Sequence, residues 1–377
     1  METGTARPDA KAELIAIDVL RLASAAAVAA YHFGTAFWLQ PPVLAVAMLG
    51  AEPPRSAAVP FTWWGWIGVE IFFVISGFVI AFSAAASGAA DFARRRFLRL
   101  APGAWICATV TLAVVAAAGA RPFTALAIQW FGAAFMTPFG PYIDGSYWTL
   151  AIEISFYLLV GLLLAFGLRS RIEFAARALG VLSALAWAAA ALQAVSPILI
   201  LSGRSMQLVL LSHGCFFALG VQLWAAVSHG ATLKRMLWAT LFYAACLVEI
   251  VAHTAERAAS LHLGFSALVP ILIFSLGVLV VACSARLQPV FGRAIAPARA
   301  RLLGLMTYPL YLIHQMVGAV LLASLFGTLG APLAIAVAAV AVAALTLVIV
   351  PLEKKLRAAL SAGLSRPARP VLAAAAP

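Results

Sequence analysis

The sequence predicts an all-α integral membrane protein, a bundle of about ten transmembrane helices whose N- and C-termini both lie in the cytoplasm. Two observations carry this prediction. Of the 377 residues, 64% are hydrophobic and only 10% are charged, whereas about 25% of the residues of a soluble domain carry a charge. The mean hydropathy is +1.04, and the apolar residues recur in stretches of about 20, the length of a helix that crosses a bilayer.

Ten apolar stretches have this length. They are residues 14–38, 64–86, 102–119, 146–167, 177–195, 206–227, 235–254, 263–283, 302–325 and 331–352. The stretch 122–138 is ambiguous and fits a re-entrant or a surface segment. We expect residues 1–357 to form one transmembrane domain and residues 358–377, which are rich in Ala, Pro and Arg, to form a disordered cytoplasmic tail.

The basic residues predict the orientation. With the N-terminus in the cytoplasm, 20 of the 25 Lys and Arg residues fall in cytoplasmic segments and four in external ones, as expected from the excess of positive charge inside. The net charge of +12 is spread over short loops, which indicates contact with membrane lipids and argues against binding of nucleic acid.

The first helix contains Asp18, Arg21 and His32. Eleven residues make three turns plus about 20°, so Arg21 and His32 share one stripe about 16 Å apart along the axis. Asp18 precedes Arg21 by three residues and can pair with it. Ionisable groups in a bilayer are costly and usually mark a site, so we predict that His32 is a general base. The alternative is a set of polar contacts between helices.

The second helix contains Glu70 in its outer part, near the predicted level of His32. Its carboxylate could orient the imidazole or stabilise its charged form. The alternative is a side chain that reaches to the outer membrane surface. In the same helix, Ser76 and Gly77 predict close helix packing, and no GxSxG turn supports Ser76 as a nucleophile.

An arginine cluster enters the third helix and consists of Arg94, Arg95, Arg96 and Arg99. Arg96 and Arg99 are three residues apart and can share a helical face. Because a guanidinium group suits phosphate, the cluster could clamp a phosphorylated donor in the cytoplasm. The alternative is a cluster that only fixes topology and contacts anionic lipids.

The fourth and ninth helices contain further polar residues. Glu153 lies about two turns below the outer surface and needs a partner or a wet cavity, and a purely structural glutamate is the alternative. Tyr308, Tyr311 and His314 are spaced by three residues, so they form a stripe that faces either a polar cavity or a Tyr–His packing seam. Trp148 also fits the aromatic belt of a membrane protein.

The cysteines and the remaining histidines do not predict a metal site. The cysteines lie in apolar segments without CxxC or histidine spacing, so we interpret them as buried thiols. We interpret four histidines without a polar context as packing or loop residues: His213, His229, His253 and His262.

Together these segments resemble the membrane acyltransferase 3 family, whose multi-helix proteins acylate bacterial cell-surface sugars and related molecules. The resemblance rests on D-x-x-R-x10-H, GVEIFFVISGF, RRRFLRLAP, SYWTLAIEISFY and YPLYLIH, in that order. It covers about residues 14–157 and 302–325, whereas residues 170–300 match only as hydrophobic helices.

The resemblance implies transfer of an acyl group, often acetyl, from cytoplasmic acyl-CoA to a hydroxyl group of a cell-surface or exported carbohydrate. It places the family's essential Arg and His at Arg21 and His32, its basic motif at Arg96 and Arg99, and its helix-four acid at Glu153. His32 would be either the general base or a transient acyl carrier. The implied location is the bacterial cytoplasmic (inner) membrane.

We therefore expect no permanently bound cofactor or metal. The expected partners are acyl-CoA as the donor, a carbohydrate or glycolipid acceptor, and membrane lipids. A transporter of a glycosidic or acylated molecule, with the same polar stripe as its path, is the alternative function. The predicted catalytic residues are His32, Glu153, Glu70 and Asp18, and the predicted substrate-binding residues are Arg21, Arg96, Arg99, Trp148, Tyr157, Tyr311 and His314.

Overall fold

The computed structural model describes residues 15–119, 122–192, 201 and 203–364, and these residues form helices and no strand. The first half of the chain contains α1 (Ile15–Leu39), α2 (Val43–Leu49), α3 (Val59–Ala85), α4 (Ala89–Ala117), α5 (Phe123–Ala134), α6 (Gly145–Ala165) and α7 (Arg169–Leu192). The second half contains α8 (Arg204–Leu208), α9 (Gly214–His229), α10 (Leu233–Ser260), α11 (Leu268–Ala282), α12 (Ser284–Ala294) and α13 (Pro297–Leu364).

Seven helices of the described chain are long and apolar enough to cross a membrane, and an eighth span results if α11 and α12, which meet at 89°, are counted together. Helix α13 is 68 residues long and is interrupted at Gly330, where φ is 71°. The two parts of α13 include the predicted spans 302–325 and 331–352. The protein is therefore a multi-pass, all-α membrane protein, while the count of ten spans and the cytoplasmic termini stay predictions.

Predicted and observed helix boundaries differ in several places. Helix α4 begins at Ala89 rather than at residue 102, because its first turns are basic and do not register as apolar. The ambiguous stretch 122–138 contains the short apolar helix α5, which packs against α4. Helix α13 continues to Leu364, into the segment predicted as a tail, and residues 365–377 lie outside the described residues.

Helix α3 lies at the centre and packs against α1, α6, α9 and α11. A Cβ atom added at Gly77 would lie 2.2 Å from the carbonyl oxygen of Phe217, and one at Gly220 would lie 2.1 Å from that of Val74. Only glycine at both positions lets α3 and α9 approach so closely. This confirms the close packing predicted at Gly77.

The two ends of the bundle differ in charge. The end at which α3 stops and α4 starts, here called the basic end, also contains the first residues of α1, α7 and α10. There Arg169 donates a hydrogen bond to the carbonyl of Ser87 (2.7 Å), and Arg177 and Arg235 both pair with Glu173. The last residues of α1 and α10 and the first residues of α3 and α6 form the opposite end.

Candidate functional site

Two neighbouring cavities lie among α1, α3, α6 and α13. The arginine cavity has a volume of about 70 Å³ and is lined by Arg21 and Arg99. The histidine cavity has a volume of about 390 Å³ and is lined by His32. Val69 and Tyr311 line both cavities, so these two side chains form the wall between them. The arginine cavity lies on the side of the basic end, and the histidine cavity lies on the side of the opposite end.

Arg21 projects from α1 into the arginine cavity. It interacts favourably with the carboxylates of Asp18 and Glu153 and unfavourably with the like charge of Arg99. Asp18 lies between α1 and α13, because a Cβ atom added at Gly304 would be 2.8 Å from its Cγ. Asp18 thus lies where α1 meets α13 and attracts Arg21 electrostatically, and its direct pairing with Arg21 stays a prediction from the three-residue spacing.

Glu153 lines the arginine cavity and has two hydrogen-bond donors. Its Oε1 accepts a bond from Ser76 Oγ at 2.9 Å and one from Tyr157 Oη at 2.7 Å. The guanidinium of Arg96 lies 5.4 Å from the ring centroid of Tyr157 and donates to Ser83 Oγ at 2.9 Å. Glu153 thus has the polar partners and the cavity that a carboxylate within a membrane requires, and Ser76 contributes as a donor to it.

Arg99 is held against the ring of Tyr308, with its Cζ 5.3 Å from the ring centroid. Tyr308 donates a hydrogen bond to the carbonyl of Leu100 at 2.9 Å. A Cβ atom added at Gly103 would lie 2.5 Å from that ring, so a glycine is required where α13 meets α4. Arg95, another residue of the arginine cluster, is exposed. It therefore differs from Arg99, whose side chain lines the arginine cavity.

His32 lies at a local change of helix geometry. Residues His32–Ala36 form a π-helical turn, and the indole of Trp38 donates to the carbonyl of Phe33 at 2.7 Å. Such turns are frequent at functional sites. The rings of His32 and His314 lie 5.0 Å apart between centroids.

His314 has a defined tautomer in its neutral form. Its Nδ1 lies 2.8 Å from the carbonyl oxygen of Tyr311. Because a carbonyl only accepts, Nδ1 carries the proton and Nε2 retains its lone pair. Nε2 is buried and has no hydrogen-bond partner among the described residues. The predicted stripe on this helix therefore brings an unpaired acceptor close to His32.

The wall between the cavities is held by a hydrogen bond. Tyr311 Oη lies 3.1 Å from Thr149 Oγ1, which links α13 to α6. Trp148, the preceding residue of α6, lines the histidine cavity. Two of the three predicted tyrosine and tryptophan binding residues, Tyr311 and Trp148, thus border the cavity that contains His32, and the third, Tyr157, lines the arginine cavity.

Asp144 is a site residue that the sequence interpretation missed. One carboxylate oxygen accepts hydrogen bonds from the Ser146 backbone N–H (2.8 Å) and hydroxyl (2.6 Å), and the other accepts from the Met316 N–H (2.8 Å). It also interacts electrostatically with His314. Asp144 therefore fixes the start of α6 to the His314 region of α13. The only sequence feature that points to Asp144 is its position two residues before a Ser at the start of a helix, where an Asp side chain can accept backbone hydrogen bonds.

The substitution Asp144→Asn should lower both thermal stability and initial rate. The amide nitrogen of Asn would face the N–H of Met316, and a buried donor without an acceptor costs about 1–3 kcal/mol. Melting in detergent and an acyl-transfer assay measure the two effects. Asp91→Asn is the matched control, because Asp91 is exposed and pairs with Arg94 at 3.7 Å. Equal behaviour of the two variants would contradict this role of Asp144.

Glu70 does not face the histidine cavity, contrary to the expectation that it assists His32. Its carboxylate oxygens lie 3.9 Å from Nδ1 of His213 and 3.8 Å from Nδ1 of His253. The physical reason is helical phase: successive residues are rotated by about 100°, so Val69 faces the cavities while Glu70 points towards α9 and α10. The sequence predicts how deep Glu70 lies in the membrane, but it does not predict which neighbouring helices its side chain faces.

The interpretation of His213 and His253 as packing or loop residues is also corrected. Nδ1 of His213 lies 2.6 Å from Oε1 of Glu249, and Cys215 donates to the other oxygen at 3.3 Å. Ligand atoms of Glu70, His213 and Glu249 lie within 4.8 Å of one another, so these side chains could hold a metal ion. The 2.6 Å contact is a hydrogen-bond distance, and the residues already form a hydrogen-bonded cluster. Glu249 and His253 are four residues apart on one helix, and this spacing is the sequence feature that indicates a polar cluster there.

Comparison with known proteins identifies the family. The model of the acyltransferase 3 family, described as an acyltransferase domain, matches residues 14–351. Searches of curated proteins and of solved structures find no significant match to the chain. The match includes the arginine cavity, the histidine cavity and the middle helices that the sequence motifs do not cover. The chain therefore belongs to the acyltransferase 3 family of membrane acyltransferases.

Proposed function

We propose that this O-acyltransferase moves an acyl group, specifically acetyl, from cytoplasmic acyl-CoA to a hydroxyl group of a cell-surface or exported carbohydrate in the bacterial inner membrane. The observation that carries the proposal is the pair of cavities with a shared wall of Val69 and Tyr311. One cavity offers cations for a phosphorylated donor, and the other offers an imidazole for an acceptor.

The donor side accounts for the arginines. Arg96 and Arg99 lie on the basic end of α4 and bind the phosphates of CoA, since guanidinium groups match phosphate geometry. The acyl group must pass through the arginine cavity to reach His32, and this cavity of about 70 Å³ has room for only a few waters at about 10–15 Å³ each. This size favours acetyl over a long fatty acyl chain.

The donor must extend through the wall. Arg21 and His32 are separated by about 16 Å along α1, so the pantetheine arm spans this distance while the nucleotide stays at the basic end. The thioester passes the wall when the hydrogen bond between Tyr311 and Thr149 opens. Arg21 lies at the entrance, where the carboxylates of Glu153 and Asp18 attract its guanidinium.

The chemical step is a direct attack. A ring nitrogen of His32 accepts the proton of the acceptor hydroxyl, and the oxygen forms a bond to the thioester carbonyl carbon. The tetrahedral intermediate collapses, the carbon–sulfur bond breaks, and the departing thiolate takes the proton from the imidazolium of His32. The products are the ester and CoA thiol. In the acyl carrier alternative, His32 itself attacks the thioester, and the acceptor then takes the acyl group from the imidazole.

Binding and turnover of acetyl-CoA test the proposal. The purified protein should bind acetyl-CoA in detergent and release CoA thiol when a carbohydrate acceptor is added, with an O-acetyl ester detected by mass spectrometry. Surface glycans of cells with and without the gene should differ by the same ester. A protein that moves a glycoside across vesicles without binding acetyl-CoA would be a transporter, and that result would refute the proposal.

A further inference from the structure

Arg257 is a basic residue of α10 that the reaction proposed above does not use. It lies near the opposite end of the bundle and lines the histidine cavity. Its Cζ lies 4.8 Å from the ring centroid of Trp66 and 5.7 Å from that of Tyr31. Its Nη1 donates to the hydroxyl of Tyr31 at 3.4 Å. The guanidinium is therefore held by two aromatic rings at the edge of the cavity that contains His32.

The charge of Arg257 is not neutralised by an ion pair. Within the described ranges, no carboxylate oxygen lies within 4.0 Å of its nitrogens. Glu70 interacts with it electrostatically, but the Glu70 oxygens lie beside His213 and His253. The Nε of Arg257 is buried without a hydrogen-bond partner among the described residues. A cation in this position needs a wet cavity or a ligand.

The arrangement suits an anion. A guanidinium that stacks on aromatic faces uses its flat face for that contact, and the N–H groups of Arg257 other than the one that donates to Tyr31 have no protein acceptor among the described residues. These N–H groups match the two oxygens of a carboxylate or a phosphate. His32 also interacts electrostatically with Arg257, so an anion held by Arg257 lies near the proposed base.

We propose that Arg257 binds an anionic group of the acceptor, and that the acceptor is therefore an acidic carbohydrate that carries a carboxylate or a phosphate. Binding of this group places a neighbouring hydroxyl beside His32. This inference rests on the proposed function for its chemical consequence, but the anion site itself can be measured without acyl transfer.

Equilibrium binding tests the site first. Methyl glucuronide, glucose 1-phosphate and neutral methyl glucoside are titrated into the purified protein without a donor. We expect at least one anionic sugar to bind more tightly than the neutral one, and Arg257→Gln to weaken that binding about 10- to 100-fold. His32→Ala should keep the binding, and Arg55→Gln, an exposed arginine at the same end, should leave it unchanged. Equal binding of all three sugars, or no effect of Arg257→Gln, would overturn the proposal.

Turnover with acetyl-CoA separates this inference from the proposed function. Arg257→Gln should raise KM for the anionic acceptor and leave KM for acetyl-CoA unchanged. An equal fall of kcat for charged and neutral acceptors would instead assign Arg257 to stabilisation of the tetrahedral oxyanion and refute the acceptor role. If the anionic sugar binds through Arg257 but is never acylated, the proposed acyl transfer fails while the anion site stands.

Discussion

Replacement of His32 by alanine is expected to abolish acyl transfer while the protein still inserts in the membrane and binds acetyl-CoA. A positioned general base contributes about 10²–10⁴-fold to the rate, and the acyl-carrier mechanism cannot proceed without the imidazole. His32 lines the histidine cavity and contacts His314. Its loss therefore removes a reactive group and leaves in place the arginines proposed to bind the donor. CoA thiol release in the presence of an acceptor measures the effect.

His229→Ala is the matched control for this prediction. His229 is exposed at the basic end, and its ring lies 5.0 Å from that of Trp224. The control should retain the normal rate. Normal acylation by His32→Ala would refute the proposed role of this histidine.

Labelled acetyl-CoA without an acceptor then separates the two mechanisms. After denaturation has released bound acetyl-CoA, the wild-type protein retains the label and His32→Ala does not if His32 carries the acyl group. If His32 is a general base, neither protein retains it.

Arg99→Ala is expected to weaken binding of acetyl-CoA by about 10- to 150-fold, because a hydrogen bond to a charged group contributes about 1.5–3 kcal/mol. Arg99 lines the arginine cavity and is held in place by the ring of Tyr308. Titration of acetyl-CoA and of CoA into the purified protein measures the loss. Lysine should restore only part of the affinity, since a point charge lacks the planar fork of arginine.

Arg95→Ala serves as the control on the same helix. Both residues belong to one cluster, but Arg95 is exposed and Arg99 is cavity-lining. If the cluster acted only through its total charge on topology or lipid binding, the two variants would behave alike. An unchanged affinity in Arg99→Ala would contradict the phosphate clamp.

The predictable parts of this protein are those encoded within single helices. The apolar stretches are long enough to indicate an all-α membrane protein, and the eleven-residue spacing of Arg21 and His32 predicts that both side chains follow one stripe. The structure places them in two adjoining cavities. The π-helical turn begins only at His32, so it does not disturb the spacing between them.

Contacts between distant helices were not predictable from the same patterns. Glu70 points to α9 and α10 because close packing at Gly77 and Gly220 sets the rotation of α3, and one sequence does not reveal which helices meet. For the same reason the sequence does not distinguish Arg257 from the other three basic residues in segments predicted to be external. Its aromatic partners, Tyr31 and Trp66, are about 190 or more positions away in the chain.

The wall of Val69 and Tyr311 has a consequence for the energy balance of the cell. A continuous wet path past arginines, carboxylates and histidines would conduct protons and dissipate the gradient that drives ATP synthesis. One aliphatic and one aromatic side chain, the latter fastened to Thr149, interrupt that path. Under the proposed function, with a soluble thioester on one side and a sugar on the other, this wall would keep the protein electrically tight between turnovers in an energised membrane.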